Sequence, residues 1–283
     1  MKTKKKVSVK TWVSRMILIL WSVFTLMPFY IMLINSFKSS EEFYAGIFAL
    51  PGDFITNTVI NYSNAWKEAS LGTGLTNTVI VVAGATLMTV VLSAMVAYEL
   101  ARRDFRFKKQ VDAFYLIMLL VPSMVALTPT FFIGRTLGLY NKRLSLVLFY
   151  TAHQMPFTVY TMKSFFSTLP HSLEEAAYLD GASSFRTFRS IMLPIMRPGF
   201  VTAGIFAVLD FFDEYLFALQ LVVKKELLPA AVTILRYRAG QAVRQVWGET
   251  FAACMVLTVP IVIIYALSHE KLMGGMTAGS VKG

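Results

Sequence analysis

Cysteine is nearly absent from this chain. Cys254 stands alone inside an apolar run, which excludes an intrachain disulfide and any Cys-rich metal site. Histidine is almost as scarce, occurring only as His153, His171 and His269. No G-x-x-x-x-G-K-[ST] phosphate loop, H-E-x-x-H or G-x-S-x-G motif occurs, so the parts for an ATPase, a zinc hydrolase or a nucleophile-elbow hydrolase are missing. Charge is thin as well: 15% of the 283 residues are charged against 56% hydrophobic, with a mean hydropathy of +0.59. That excludes an ordinary soluble composition. A formal charge of +11 in a soluble protein would suggest a polyanionic partner. Here it has to be read by membrane side.

Long apolar runs are what the chain has in abundance. The first, 16–34, follows Lys2, Lys4, Lys5, Lys6, Lys10 and Arg15. It exceeds the apolar core of a signal peptide and no A-x-A pattern follows it, so it reads as a permanent helix entering from the cytoplasm. Further runs lie at about 75–100, 112–133, 144–166, 198–222 and 248–268. Together they predict an all-α, polytopic transmembrane bundle of six helices with both termini cytoplasmic. A basic segment 1–15 precedes the membrane region 16–269, and a tail 270–283 follows it. This topology places 17 of the 27 Lys and Arg residues inside, including Arg102, Arg103, Arg106, Lys108 and Lys109, and leaves 10 outside, five of them in the segment 224–246. The bias supports the orientation and the last outer loop weakens it. Pro28, Pro122, Pro129, Pro156 and Pro260 predict interrupted helices. Ser93 with Ala97, and Ala203 with Ala207, are small pairs one turn apart that allow close packing. His153, beside Gln154 in the fourth run, is either a ligand contact or proton relay, or a packing residue hydrogen-bonded to a neighbouring helix.

The inner loop 170–194 carries the most information. Pro170 starts a helix, Ser172 is placed to cap it, and Glu174 and Glu175 lie in its first turn, where the positive helix end favours carboxylates. Gly181 supplies a left-handed stop. A second short helix, amphipathic through Phe185, Phe188, Ile191 and Met192, ends into Pro194. Two short helices in a tight bend follow, and the first is small enough at Ala176 and Ala177 to enter a groove on another protein.

The spacing of Glu175-Ala176-Ala177, Gly181, Ile191 and Leu193-Pro194, with Asp180-Gly181-Ala182, resembles the EAA loop of membrane subunits of ATP-binding-cassette importers. The likeness extends to MalG-like permease subunits of carbohydrate importers through Asn35-Ser36-Phe37-Lys38 with Glu42, Asn61-Tyr62, Asn77-Thr78, the stretch from Ala97-Tyr98 to Arg102, and the ending Thr277-Ala278-Gly279-Ser280-Val281-Lys282-Gly283. The resemblance implies a non-catalytic permease subunit in a prokaryotic inner membrane. Its partners would be a homologous MalF-like permease, two ATPases that bind ATP-Mg, and an extracytoplasmic solute-binding protein. Glu175, Ala176, Ala177, Asp180, Gly181, Ile191, Leu193 and Pro194 would couple to the ATPases, with Glu175 meeting a basic partner residue. The tail, a fraying terminus by default, would contact the ATPases as well.

The fifth run carries Asp210, Asp213 and Glu214, which with Phe206 and Phe217 form one stripe of carboxylates and rings on a continuous helix. Such a stripe suits a carbohydrate path, with Gln154 as a further candidate. The equal alternative is interhelical hydrogen bonding or pairing with Lys or Arg. Related subunits commonly have Trp-Asn-Glu-Phe where this chain has Phe212-Asp213-Glu214-Tyr215, a departure that adds acidic character. The EAA-like loop reports ATPase coupling and not cargo, so a polyamine or phosphate importer stands as an alternative, with an ion-coupled carrier a distant one.

Overall fold

The computed structural model describes residues 9–241 and 246–280, and every element among them is helical. The cationic residues Lys2, Lys4, Lys5, Lys6 and Arg244, and the ending 281–283, lie outside the described residues. In chain order the elements are α1 (Val9–Asn35), α2 (Ser40–Ala45), α3 (Phe54–Lys67), α4 (Leu71–Arg102), α5 (Lys108–Leu120), α6 (Ser123–Thr136) and α7 (Arg143–Thr168). They continue with α8 (Ser172–Leu179), α9 (Ser184–Thr187), a π turn (Phe188–Met192), α10 (Leu193–Ile195), α11 (Arg197–Asp213) and α12 (Leu216–Leu221). A 3-10 turn (Lys225–Leu227), α13 (Ala230–Gly240) and α14 (Trp247–Ser280) complete the chain. The described residues divide into two compact units, those within Met1–Leu71 and Ile234–Thr258, and those within Gly72–Thr233 and Val259–Gly283.

Among the described residues three helices are long and apolar enough to cross a membrane: α1, α4 and α14. The third predicted span is broken. α5 and α6 meet at 106°, with Pro122 as the extended residue between them, because proline removes an N–H and pushes its neighbour out of helical geometry. The fifth span breaks as well, between α11 and α12 at Glu214 and Tyr215. A further bend of 75° separates Ser184–Ile195 from α11, and counting that pair and the α5–α6 pair each as one crossing raises the total among the described residues to five. The fourth run, α7, has 26 residues, about 39 Å of helix at 1.5 Å per residue. It falls short only in hydropathy, because it spends residues such as Thr151, Gln154 and Thr158 on a buried interior face. Pro28, Pro129, Pro156 and Pro260 lie inside continuous helices, so of the five predicted interruptions only Pro122 stands at a break. The tail does not fray at residue 270: α14 keeps helical backbone to Ser280. Along α1 the apolar side chains from Trp12 to Phe29 are exposed, a face that water would not tolerate and hydrocarbon would.

In the first unit, buried polar side chains tie the end of α1 to α3. Lys38 is fully buried and donates to the carbonyls of Gly46 (2.8 Å) and Ile47 (3.2 Å). Asn61 Nδ2 donates to Ser36 O and Lys38 O, both at 2.9 Å, and the Ser36 and Tyr62 hydroxyls are 3.0 Å apart. Ser39 and Glu42 form a reciprocal capping box on α2, and the Glu42 carboxylate also accepts from Gly52 N (2.8 Å) and Asn57 Nδ2 (2.8 Å). Gly248, at the start of α14, presses on this knot: a Cβ there would sit 2.1 Å from Lys38 O and 2.5 Å from Asn61 Nδ2. Beneath lies an apolar cluster of Ala65, Ala69, Leu71, Ile234, Tyr237, Val246, Ala252 and Ala253.

In the second unit α4, α7 and α11 pack through small residues and buried side chains. Ala94, Ala97, Val159, Met162, Phe166, Met192, Met196 and Ala203 form its core, and Ser93 and Ala207 are also buried, as the small pairs require. At the other end of α4, Asn77 is fully buried; it donates to Glu226 O (2.9 Å) and Leu228 O (3.0 Å) and accepts from Arg143 Nε (2.8 Å).

Two outcomes follow for the first unit. Gly248→Ala forces backbone apart, so it should destabilise the unit by at least about 1–3 kcal/mol, read as a lower thermal midpoint in detergent. Burial pushes the Glu42 carboxyl up, but the N–H groups of Ser39, Gly52 and Asp53, together with the Lys38 charge, outweigh it and hold the group below the ordinary carboxylate range. A depressed folded value stabilises above the unfolded value and is lost as pH falls through the folded one. The midpoint should therefore drop on acidification below about pH 4.3, the ordinary Glu value, and Glu42→Gln should lower the neutral-pH midpoint and flatten that acid limb.

Candidate functional site

Two carboxylates adjacent on a helix point about 100° apart, so Glu174 and Glu175 cannot share an environment. The structure places them on opposite sides of α8. Glu174 and Ala177 face inward and are buried, whereas Glu175, Ala176, Tyr178, Leu179 and Asp180 are exposed, Leu179 at 90%. Ser172 is not the cap; it is the first helical residue, and the N-cap position belongs to His171, which makes no side-chain cap bond. The first-turn N–H groups turn to the backbone instead, Leu173 N to Pro170 O (3.4 Å) and Glu174 N and Glu175 N to His171 O (3.0 and 3.2 Å). Gly181 does stop the helix as expected, at φ +76°, with Gly181 N bonded to Tyr178 O (3.0 Å) and Ala182 N to Ala177 O (2.9 Å). This paired closure is the Schellman arrangement.

Ser183 caps α9 on Arg186 N, and the chain then widens into the π turn, where Leu193 N–H reaches back to Phe188 O. The second short helix does not end at Pro194; the turn opens and the helix continues through α10 past it. Thr187 and Met192 are buried and Leu193 packs on the core beside Met192 and Met196, while Ile191 is half-buried and Pro194 exposed. The later motif residues thus seat the loop, and the earlier ones present an edge.

Arg102 holds the inward side of that edge. Its side chain is 1% exposed and its Nε and Nη2 each lie 2.8 Å from Glu174 Oε2, while Tyr98 OH donates to Glu174 Oε1 at 2.7 Å. The same guanidinium donates from Nη1 to Leu169 O (2.8 Å) and from Nη2 to Pro170 O (3.0 Å), the free carbonyls after α7. Tyr98 packs its ring on Phe166 and Phe188. Sequence reading valued this stretch for its likeness and gave Arg102, Tyr98 and Glu174 no joint task. The available signal was the four-residue spacing of Tyr98 and Arg102 at the end of an apolar run, which puts both on one helix face.

The second candidate region lies where α7 meets α11 and α12. Phe206, Asp210 and Asp213 are on α11, but Phe217 is on α12, so the predicted single-helix stripe does not exist. The chain turns at Glu214 because its Oε1 accepts from Phe217 N (2.8 Å) and so caps α12. Phe217 is buried against the His153 ring, with centroids 5.5 Å apart, and Tyr150 stacks on Phe211 at the same separation. His153 is half-buried and lies 3.1 Å from Ser123 Oγ on α6, the packing arrangement of the two readings. Gln154 is buried. Asp210 and Asp213 are exposed and form no ion pair among the described residues, so the expected pairing with Lys or Arg is not seen there. Asp210 interacts electrostatically with His153, and Phe206 meets Phe157 edge-on at 5.4 Å. The structure thus gathers one polar and aromatic face from Phe157, Phe206, Asp210 and His153.

Comparison with known proteins places these features. The family model described as binding-protein-dependent transport system inner membrane component matches residues 89–275. The diacetylchitobiose uptake system permease protein NgcG of Streptomyces coelicolor is 35% identical over 270 residues, covering 95% of this chain and 88% of that protein. The trehalose transport system permease protein SugB of Mycobacterium tuberculosis is 34% identical, with 85% and 81% covered. The trehalose/maltose transport system permease protein MalG of Thermococcus litoralis is 29% identical, with 94% of each covered. Among solved structures, a chain of a bacterial ABC transporter involved in the import of the acidic polysaccharide alginate superposes with a TM-score of 0.78 at 19% identity, over 94% of this chain and 99% of that one.

The two faces of α8 are testable by thiol chemistry in a Cys254→Ala background. Ala176→Cys should react promptly with a hydrophilic maleimide in the folded protein, and Ala177→Cys only after denaturation. Equal rates would contradict the orientation.

Proposed function

The chain belongs to the family of binding-protein-dependent transport system inner membrane components, and we propose that it is the MalG-like half of an ATP-driven sugar importer, a multi-pass subunit that performs no chemistry itself. α1, α4, the α5–α6 pair, α7, the α11–α12 pair and α14 make six crossings, and both termini lie in the cytoplasm. The other half of the pathway is a homologous MalF-like permease. Two cytoplasmic ATPases hold ATP-Mg, and an extracytoplasmic binding protein delivers the sugar.

One observation carries the coupling role: α8 projects an edge of Glu175, Ala176 and Leu179 away from its own fold, with Glu174 and Ala177 turned inward. A helix that is small at its centre, acidic at its exposed start and apolar at its exposed end fits a groove with a basic rim and an apolar floor. Glu175 meets the basic rim, Leu179 fills the floor, and Asp180-Gly181 fixes where the helix stops. Closure of the ATPases on ATP draws two such grooves together, and packed helices convert that motion into opening of the bundle. The helix-dipole value of Glu175, about 0.3–1 kcal/mol, is too small to be the whole reason for an exposed carboxylate at this edge.

The cargo reading rests on the relatives, whose named substrates are saccharides. Asp210 and Asp213 accept hydrogen bonds from hydroxyl groups, and Phe157 and Phe206 offer ring faces to a sugar. Glu214 shapes this path by capping α12, and Gln154 and Phe217 line it from behind.

Glu175→Lys should abolish recovery of the ATPases with the permease while leaving the permease in the membrane, and Gly181→Pro should do the same. Gly181→Asn, which tolerates the left-handed geometry and meets nothing within 4 Å, should retain them. Unchanged recovery with Glu175→Lys would defeat the docking assignment.

A further inference from the structure

Glu174 is adjacent to the docking carboxylate yet has no freedom to dock. Tyr98 and Arg102 occupy both of its oxygens, at 2.7 and 2.8 Å, and its side chain is 10% exposed. Arg102 is equally committed. Its remaining donors close the carbonyls of Leu169 and Pro170, so one guanidinium bonds the last turn of α4, the end of α7 and the first turn of α8 at once. α8 is joined to α7 through Leu169, Pro170 and His171 alone, a link that by itself permits rotation about its backbone bonds. At its far end the Gly181 bend leads into Thr187 and Met192, which are anchored in the core. The near end has no apolar anchor of comparable depth: Ser172 and His171 are exposed and Leu173 is half-buried.

We propose that Arg102 and Glu174, with Tyr98, are positioning residues that make α8 a rigid extension of α4, so that force received at the exposed edge of α8 moves the transmembrane helices instead of tilting the loop. This rests on the docking role of Glu175 and divides the labour between the adjacent carboxylates. Glu175 sets whether the ATPases bind, and Glu174 sets whether their motion is transmitted. The load path runs from Glu175 and Leu179 through α8 to Glu174, across the ion pair to Arg102 and Tyr98, and along the 32 residues of α4. α4 lies against α11 through Gly204, which sits near Val90 and Thr86, so displacement of α4 reaches the helix that carries Asp210.

The test uses the whole complex, expressed with its partner subunits and carrying Cys254→Ala with Asp210→Cys as a reporter. Two quantities are read: ATPase recovered per permease, and the change in maleimide labelling of residue 210 when the ATPases are trapped with ATP and vanadate. With Arg102 and Glu174 intact, trapping should change the labelling rate by about fivefold or more, the range of ordinary allosteric coupling. Glu174→Gln should recover the ATPases, still hydrolysing ATP, with that change reduced to less than about twofold. Tyr98→Phe, which removes one bond of the junction, should fall between. Because an unpaired buried charge can prevent folding, Arg102→Met combined with Glu174→Met removes both charges together and should assemble yet remain uncoupled. A full labelling response in any recovered Glu174 variant would overturn the proposal. So would failure of every variant to assemble, the mark of a brace needed only for folding, or selective loss of the ATPases from Glu174→Gln, which would make it a docking residue. Glu175→Lys run alongside separates the two ideas: ATPases retained by that variant would overturn the docking role whatever Glu174 does.

Discussion

A guanidinium shut away from water at the inner end of α4 decides how the functional loop is held. Charged groups leave water only when their partners replace it, and removing one member of a buried pair costs about 3–5 kcal/mol because the other is left uncompensated. Arg102 meets that demand with a carboxylate and two carbonyls from separate segments. Each of those segments is thereby fixed relative to the others. The exposed Glu175, in contrast, gains from its helix end only about 0.3–1 kcal/mol. A difference of that size between adjacent residues is why one is structural and the other is free to face a partner.

The same economy recurs at several helix ends. Lys38 is buried on the carbonyls of Gly46 and Ile47, Asn61 on those of Ser36 and Lys38, and Asn77 on those of Glu226 and Leu228. Asn141, at φ +62°, accepts from the N–H groups of Val223 and Lys224. In every case a polar side chain replaces water at backbone atoms that helices leave unsatisfied. Irregular connections between apolar helices are otherwise expensive, so these side chains determine where the connections run. The segments that marked the family likeness, Asn35 to Lys38 with Glu42, Asn61-Tyr62 and Asn77-Thr78, prove to be such knots.

The helical class and the positions of α1, α4, α7 and α14 were legible because an apolar run of this length has few other uses. The bend after α8 was legible because the left-handed stop of a helix favours glycine, and Gly181 stands just past an amphipathic turn. The breaks were harder. Five prolines looked alike in sequence, yet only Pro122 stands at a bend, since a proline within a long helix removes one hydrogen bond and the turns on either side carry the helix through. Ser172 looked like a cap by composition, but the backbone of His171 already occupies that position. The Arg102 junction was invisible because it pairs residues 72 apart, and no local pattern reports which of two adjacent glutamates faces inward.

The turn at Glu214 shows how one carboxylate alters the meaning of its neighbours. Had α11 run on unbroken, the acidic residues and Phe217 would have shared one face, and the stripe would have read as a single lining. Glu214 instead bonds Phe217 N and starts a new helix, which sends Phe217 into the interior against His153. Asp210 and Asp213 remain exposed on α11 without an ion-pair partner among the described residues. An ionised carboxylate facing hydrocarbon would be costly, so this face of α11 has to meet water or a polar partner. A hydrated face with aromatic rings beside it is the surface a sugar requires, and it arises because the helix was interrupted, with the interrupting residue itself occupied in holding the break.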